Sequence, residues 1–309
     1  MMKNIGIIYC PNHRPFSSPA KRWKKIAAAL DAHDIAYDMI QSESSDSVER
    51  LFTMLLNNGY ETIVIAGGDS ALNDAANCLM KVERQIRDKV VLGVIPNGTM
   101  NDFASFWGLS FHDIDYAVSS IKQHRIRKID VGCIHYYDKK RERKNRYFLN
   151  CVNIGLLASI QKLRQDTRRK LWSRKLSFVI SALLLLFMKK YFKITYTINY
   201  VKERHRVSTI CIGSACGYGQ TPNAVPYNGM LDATVVRHSA VSEIVGGLYL
   251  FARGKIMNHK RIMPYRSRMI ELELPKGTPV SVDGHSMETA AGPFKVSVLQ
   301  EVVNFIIEK

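Results

Sequence analysis

No stretch of this sequence is long and apolar enough to cross a bilayer. The longest apolar run, "FVISALLLLFM" (residues 178–188), has eleven residues, whereas a spanning helix needs about 20. No C-x-x-C pair occurs among the six cysteines (Cys10, Cys78, Cys133, Cys151, Cys211 and Cys216). That absence argues against a zinc ribbon or a redox motif and favours small buried thiols in a reducing compartment. The opening "MMKNIGIIYCPNHRP" has no small-residue cleavage site behind its apolar run. It reads as a first strand and not as a secretion signal, so a cytoplasmic location is expected. Neither G-x-G-x-x-G nor a Walker loop is present, which weighs against a nicotinamide oxidoreductase and a P-loop enzyme.

Acidic side chains are also in short supply, with 27 Asp and Glu against 44 Lys and Arg, a net charge of +17. Such an excess favours a phosphate-bearing ligand, an anionic membrane surface or nucleic acid. Nucleic acid is the weakest of the three. Aromatic residues are not interleaved with the basic ones, as a single-strand platform would require.

What the chain does have is a regular alternation in its first third. "NIGIIY", "IAYDMI", "TIVIA" and "KVVLGVIP" read as strands. The amphipathic segments at residues 20–32, 45–58 and 71–82 read as helices between them. Strand–helix–strand at this spacing predicts parallel strands joined by right-handed crossovers, with ligands beyond the strands' carboxyl ends. From about residue 125 the pattern changes. "RKIDVGCIHYY", "RYFLNCVNIG", "FKITYTINYV", "RVSTICIGSA", "LDATVVRH", "MIELELP" and "TPVSVDG" read as strands, and only the segments around 171–189 and 241–254 as helices. The expected organisation is a Rossmann-like α/β domain over residues 1–125 and a mostly-β domain over 126–309, with room for the last residues to return to the first. The basic tract "KKRERKNR" (139–146) reads as a solvated hairpin loop.

Two polar loops fall at the predicted carboxyl edge. In "TIVIAGGDSALNDAANCLM" a buried strand stops at Gly67-Gly68-Asp69 and a helix follows at once. Glycines there let phosphate oxygens reach main-chain N–H groups, and a helix N-terminus adds its dipole. Asp69 would bind a metal or orient a phosphate through it. The plainer alternative makes the glycines a turn and Asp69 or Ser70 a helix cap. In "IPNGTMNDF" the next strand delivers Gly98, Thr99, Asn101 and Asp102 to the same edge. The two loops together point to a nucleotide site.

"GGDSALND" with "PNGTMNDFA" resembles the diacylglycerol kinase catalytic superfamily, whose pattern is roughly GGDGTxNE followed by PxGTxNDFAR. "NCVNIGLLASI", "PNAVPYNGMLDATVV" and "VSVDGHSME" follow in that family's order and spacing. The resemblance implies an α/β nucleotide-binding domain, a β-rich lipid-acceptor domain and a site in the cleft between them. It further implies transfer of the γ-phosphate of ATP, with magnesium, to a lipid hydroxyl. By that resemblance Gly67, Gly68, Asp69, Ser70 and Asn73 form the nucleotide loop. Gly98, Thr99, Asn101 and Asp102 form the second loop, with Thr99 near the phosphates. Asp232 matches an acid associated with a structural metal, and Asp283 and Gly284 match the family's late DG, which puts Asp69, Asp283 and His285 nearest the chemistry.

Five positions depart from the family pattern. Ser70 replaces a Gly, Ala71 a Thr, Leu157 and Asn228 each an Asp, and His285 the Glu usually assigned as general base. A positioned base contributes about 10²–10⁴-fold, and an imidazole of free pKa near ~6.5 can take that part. His285 reads equally as a turn residue after Asp283-Gly284. The alternative to a kinase is therefore a non-catalytic nucleotide- or lipid-binding relative. The segment "RQDTRRKLWSRKL" (164–176) precedes the apolar run. Its Arg168, Arg169, Lys170, Arg174 and Lys175 read as a solvated face with a modest role at an anionic inner membrane surface. Leu171, Leu176, Val179, Leu183 and Phe187 read as the buried stripe of a packed helix.

Overall fold

The computed structural model describes residues 5–12, 18–43, 47–98, 100–159, 191–216, 220–238, 243, 246, 250, 258–289 and 291–308. Thr99, the basic and apolar segments within 160–190, and most of the helix expected at 241–254 lie outside the described residues. No helix among the described residues is long and apolar enough to cross a membrane. The chain divides into two units, one of residues 1–131 with 300–309 and one of 132–299.

The first unit follows the alternation in the sequence. In order come β1 (Ile5–Tyr9), α1 (Pro19–Ala32), β2 (Tyr37–Gln41), α2 (Ser47–Asn57), β3 (Thr62–Gly67) and α3 (Asp69–Lys81). A short α4 (Arg84–Arg87), β4 (Val91–Pro96), α5 (Asp102–Phe106) and α6 (Ile114–Gln123) complete it. Pro19 stands at the start of α1, where a missing N–H costs nothing. On α2, Val48, Leu51, Phe52 and Leu55 share one buried face at helical spacing. Asp113 caps α6 by accepting from the Tyr116 N–H at 3.0 Å.

The strands pair in parallel in the order β4–β3–β1–β2. Beyond β4 lies the end of the chain's last strand, β15 (Gly292–Ile306), parallel to it at Asn304 and Phe305. Every residue of β1 and β4 is buried, as in a parallel sheet covered on both faces. From β1 the chain winds outward to β2, then returns to the other side for β3 and β4. The winding therefore reverses between β1 and β3, and their carboxyl ends form a topological switch point.

The second unit is antiparallel. Its members are β5 (Ile126–Tyr137, which starts in the first unit), β6 (Arg143–Phe148), β7 (Cys151–Gly155), β8 (Phe192–Ile198), β9 (Val201–Gly213) and β10 (Leu231–Arg237). β11 (Ile262–Ser267), β12 (Met269–Leu274), β13 (Val280–Val282), β14 (His285–Met287) and the first part of β15 complete it. The path β14–β13–β7–β9–β8–β12–β15 carries β10 and β11 beside β9. Its core gathers Phe148, Ile154, Ile194, Tyr196, Ile212, Leu272 and Phe294 from alternate positions of these strands.

Two expected strands are interrupted. "RYFLNCVNIG" is two strands, because the main-chain N–H groups of Leu149, Asn150 and Cys151 all donate to the Asp283 carboxylate. "FKITYTINYV" ends at Ile198. Asn199 and Tyr200, at φ +50° and +67°, form a two-residue hairpin loop into β9 of the kind that needs positive φ at both positions. The basic tract does turn a hairpin, between Tyr137 and Arg143, but Arg143–Arg146 already belong to β6.

Gly132 pairs with Phe148 across β5 and β6. A Cβ added at Gly132 would enter the Phe148 ring, and that ring is fully buried. Gly132→Ala should therefore lower stability by about 1–3 kcal/mol through overpacking. The loss should shrink when Phe148→Leu is present, a coupling that urea unfolding of the double-mutant cycle measures. Additive effects would refute the contact.

Candidate functional site

Beside the switch point, the loops after β3 and β4 show why glycine is needed. Gly68 is extended, at φ −106° and ψ −178°, so no unusual torsion demands a glycine there. Space does. A Cβ on Gly68 would stand 2.7 Å from Gly98 Cα, and a Cβ on Gly98 would strike Gly68 Cα. The loops after β3 and β4 thus meet main chain against main chain.

Polar side chains hold the contact. Gly98 N–H donates to Asn101 Oδ1 at 2.7 Å, and Asn101 Nδ2 donates back to Gly98 O at 3.2 Å. Asn101 adopts the left-handed conformation at φ +56° as it starts α5. Asp69 reaches beyond its own helix. Its carboxylate accepts from Asp102 N–H and Phe103 N–H, each at 3.1 Å, and so caps α5 from across the loop pair. Burial pushes the Asp69 carboxyl up, and the amides of Phe103, Asp102 and Asn101 pull it back. Asn97 completes the joint. Its N–H donates to Gly67 O at 2.8 Å, its Nδ2 donates to Cys10 O at 2.9 Å, and its carbonyl accepts from Asn12 Nδ2 at 2.8 Å. The ends of β1, β3 and β4 are thereby tied together.

The N-cap of α3 is Gly68, which makes no side-chain cap. A thirteen-residue helix therefore presents its positive end beside the loop contact, a geometry suited to an anion. Ser70 is exposed in that first turn, whereas Asn73 is fully buried farther along. Asn77 Nδ2 donates to Asn73 O at 2.8 Å and to Asn73 Oδ1 at 3.1 Å. At Cys10, just after β1, burial pushes the thiol up to about 12 and so disfavours the thiolate. The sequence reading missed Asn12, Asn97 and Asn77. Their only trace was an excess of asparagine around the glycine motifs.

In the second unit Asp283 and Gly284 form a two-residue turn with φ +44° and +89° between Val282 and His285. The Asp283 carboxylate receives Leu149 N–H at 2.7 Å, Cys151 N–H at 2.7 Å and Asn150 N–H at 3.1 Å. Its own N–H donates to Cys151 O. His285 follows the turn as the first residue of β14 and is half-buried.

Asp232 lies on the same edge of this sheet, aligned through Gly213 and Cys151. Three strand spacings put it ~14 Å from Asp283. Both of its oxygens receive Arg266, at 2.5 and 3.0 Å, so a cation there would have to displace the guanidinium. Asn228 Oδ1 accepts from Met230 N–H in a local turn. Leu157 follows Gly155, at the opposite end of β7 from Cys151. Among the described residues no group of three or more His, Cys, Asp and Glu side chains is placed to hold a metal.

Residues 15–134 match the model of the diacylglycerol kinase catalytic domain. Residues 150–307 match that of the YegS C-terminal NAD kinase beta sandwich-like domain. The chain belongs to the diacylglycerol kinase-like lipid kinase family. Members of this family similar to it include a protein of Shewanella frigidimarina named "Probable lipid kinase YegS-like". It is 27% identical over 291 residues, 93% of this chain and 88% of the relative. The diacylglycerol kinase of Bacillus subtilis is 22% identical over 76% of this chain and 74% of its own. Among solved structures, a diacylglycerol kinase from Bacillus anthracis superposes with a TM-score of 0.68 at 17% identity, covering 99% of this chain and 97% of its own. Yeast NADH kinase complexed with NADH gives 0.51 at 8% identity, over 99% and 84%. These structural likenesses show the expected fold, an α/β domain with parallel strands followed by a mostly-β one.

Gly98→Ala should force the two loops apart and destabilise the first unit by about 1–3 kcal/mol, read as a lower midpoint in urea. Asp283→Ala should cost more, about 3 kcal/mol or above, because three buried amides lose a charged acceptor together. Asp283→Asn should recover only part of that loss. Wild-type stability in Asp283→Ala would show the amides to be satisfied otherwise.

Proposed function

We propose that the protein is an ATP-dependent lipid kinase that moves the γ-phosphoryl group of ATP to the hydroxyl of a diacylglycerol-like or sphingoid-like lipid, releasing ADP. The observation that carries this reading is the abutment of the two glycine loops beside the N-terminus of α3. Bare main chain and a helix dipole are features that hold a phosphate chain. Phosphoryl transfer relies mainly on such positioning and charge neutralisation.

In this reading Gly67, Gly68, Ser70 and Gly98 line the phosphates, and Asn101 completes the second loop. Asp69 sets the angle between the loops through α5. Magnesium fits as an ion that arrives with the nucleotide. It needs only one or two carboxylates beside phosphate oxygens and water, and Asp69 and Asp102 are the acids of the loop pair. His285 takes the lipid hydroxyl's proton, the part that a carboxylate plays in the family's usual pattern.

Labelled ATP with a panel of diacylglycerol, sphingoid base and ceramide, with and without Mg²⁺, tests this directly. Magnesium-dependent labelling of one lipid is expected. Asp69→Ala should abolish it, and His285→Ala should reduce kcat by about 10²–10⁴-fold with the fold intact. Nucleotide-induced thermal stabilisation without labelled product would instead establish a binding protein. The changes at Leu157, Asn228 and His285 give that alternative its interest.

A further inference from the structure

The second unit carries a cavity of about 330 Å³ on the face of its sheet that turns away from its core. Alternation defines that face. Ile194, Tyr196 and Ile198 of β8 and Ile270, Leu272 and Leu274 of β12 pack in the core. Thr195, Thr197, Glu271 and Glu273 therefore point the other way. Strand register aligns Lys202, Thr197, Glu271 and Lys295 in one row across β9, β8, β12 and β15. His135 of β5 and Arg143 of β6 close the far wall.

The charges select a ligand. Lys202 Nζ donates to Glu273 at 3.0 Å, and these two neutralise each other. The lining also holds Arg143, Lys295 and, in register with Lys295, the carboxylate of Glu271, which leaves one net positive charge. His135 adds a ring nitrogen, and burial followed by the charges of Arg143 and Lys295 lowers its pKa. A phosphate monoester carries about −1.5 to −2 at neutral pH and exceeds the lining's charge. A phosphodiester, with one negative charge, matches it, and the Thr195 and Thr197 hydroxyls suit its ester oxygens.

The hairpin tip next to the cavity supplies a second observation. Tyr200 is 99% exposed and Val201 59%, and Tyr200 is held at φ +67°, where a bulky residue is an outlier and glycine the easy choice. Met269, at the start of β12, is another exposed apolar side chain. Lys202 follows directly, and Lys193, Arg204 and Arg206 extend the exposed positive surface along β8 and β9. An aromatic tip ringed by long cations is the composition of a membrane-interface anchor.

We propose that this cavity binds the phosphodiester headgroup of an anionic membrane glycerophospholipid, one whose phosphate charge is not cancelled as it is by choline, while Tyr200 and Val201 enter the adjoining interface. The proposal rests on the lipid-kinase reading for its membrane context and adds a docking site separate from the glycine loops.

The test is sedimentation of the full chain, without ATP, with phosphatidylcholine vesicles made with or without phosphatidylserine. Phosphatidylserine has no free headgroup hydroxyl to act as an acceptor, so its binding reports docking whether or not the chain phosphorylates lipids. Binding should rise with phosphatidylserine and fall about fivefold for each of Arg143→Gln and Lys295→Gln, the effect of about one surface cation each. Tyr200→Gly should weaken binding while raising Tm, a combination that loss of folding cannot produce. All three variants should keep wild-type turnover of a short-chain, monomeric acceptor. Vesicle binding unchanged in the Arg143→Gln, Lys295→Gln double variant would overturn the proposal. So would a shift of the His135 ring resonances by soluble diethyl phosphate without vesicle binding, or retention of a DNA duplex in place of vesicles.

Discussion

The first unit depends on one close approach, the contact of Gly68 with Gly98. Two strands that lie side by side end in loops with no side chain between them, so their main chains can touch. Any larger residue at either position would separate them. The surrounding bonds all serve this contact. Asn101 closes its own loop, Asn97 ties in the end of β1, and Asp69 anchors the helix that leaves the second loop. The shape of the loop pair is thus set by its own bonds.

Asp69 and Asp283 perform the same physical task in different units. Each is a carboxylate from one turn that collects consecutive main-chain N–H groups of a distant segment, 102–103 in one case and 149–151 in the other. Neither acid is simply a free base in a cleft. Both fix backbone that would otherwise be unsatisfied, and hydrogen bonds to charged acceptors are among the stronger ones available. The acid that marks a motif in the sequence therefore also holds the motif's geometry.

Much of the first unit was legible because buried parallel strands are continuous apolar runs and the helices between them keep a 3.6-residue period. Element ends fell within a few residues of expectation, as at Thr62–Gly67. The glycine loops were legible for the same reason, since their position at strand ends follows from the alternation. The partner of Asp69 was not, because it lies 33 residues away and nothing local encodes it. Asn97 was hidden inside an Asn-Gly pair that reads as a turn. In the second unit the break at Leu149–Asn150 was invisible without Asp283, and Tyr200 concealed a turn because tyrosine is a strand former. The strands β11 and β15 went unread, although Phe294–Val298 alternates apolar and polar residues as a half-buried strand does.

The environment of Asn97 bears on how the folded chain ages. Asparagine followed by glycine is the dipeptide most prone to spontaneous deamidation, in which the glycine nitrogen attacks the side-chain amide to close a succinimide ring. Here the Asn97 amide is engaged by Cys10 O, and the Gly98 nitrogen already donates to Asn101. With Asn97 only 2% exposed, the attacking and the leaving nitrogen are both held in other bonds and water has little access. The same lattice of amides that shapes the loop thus shields it from chemical decay for as long as the domain stays folded.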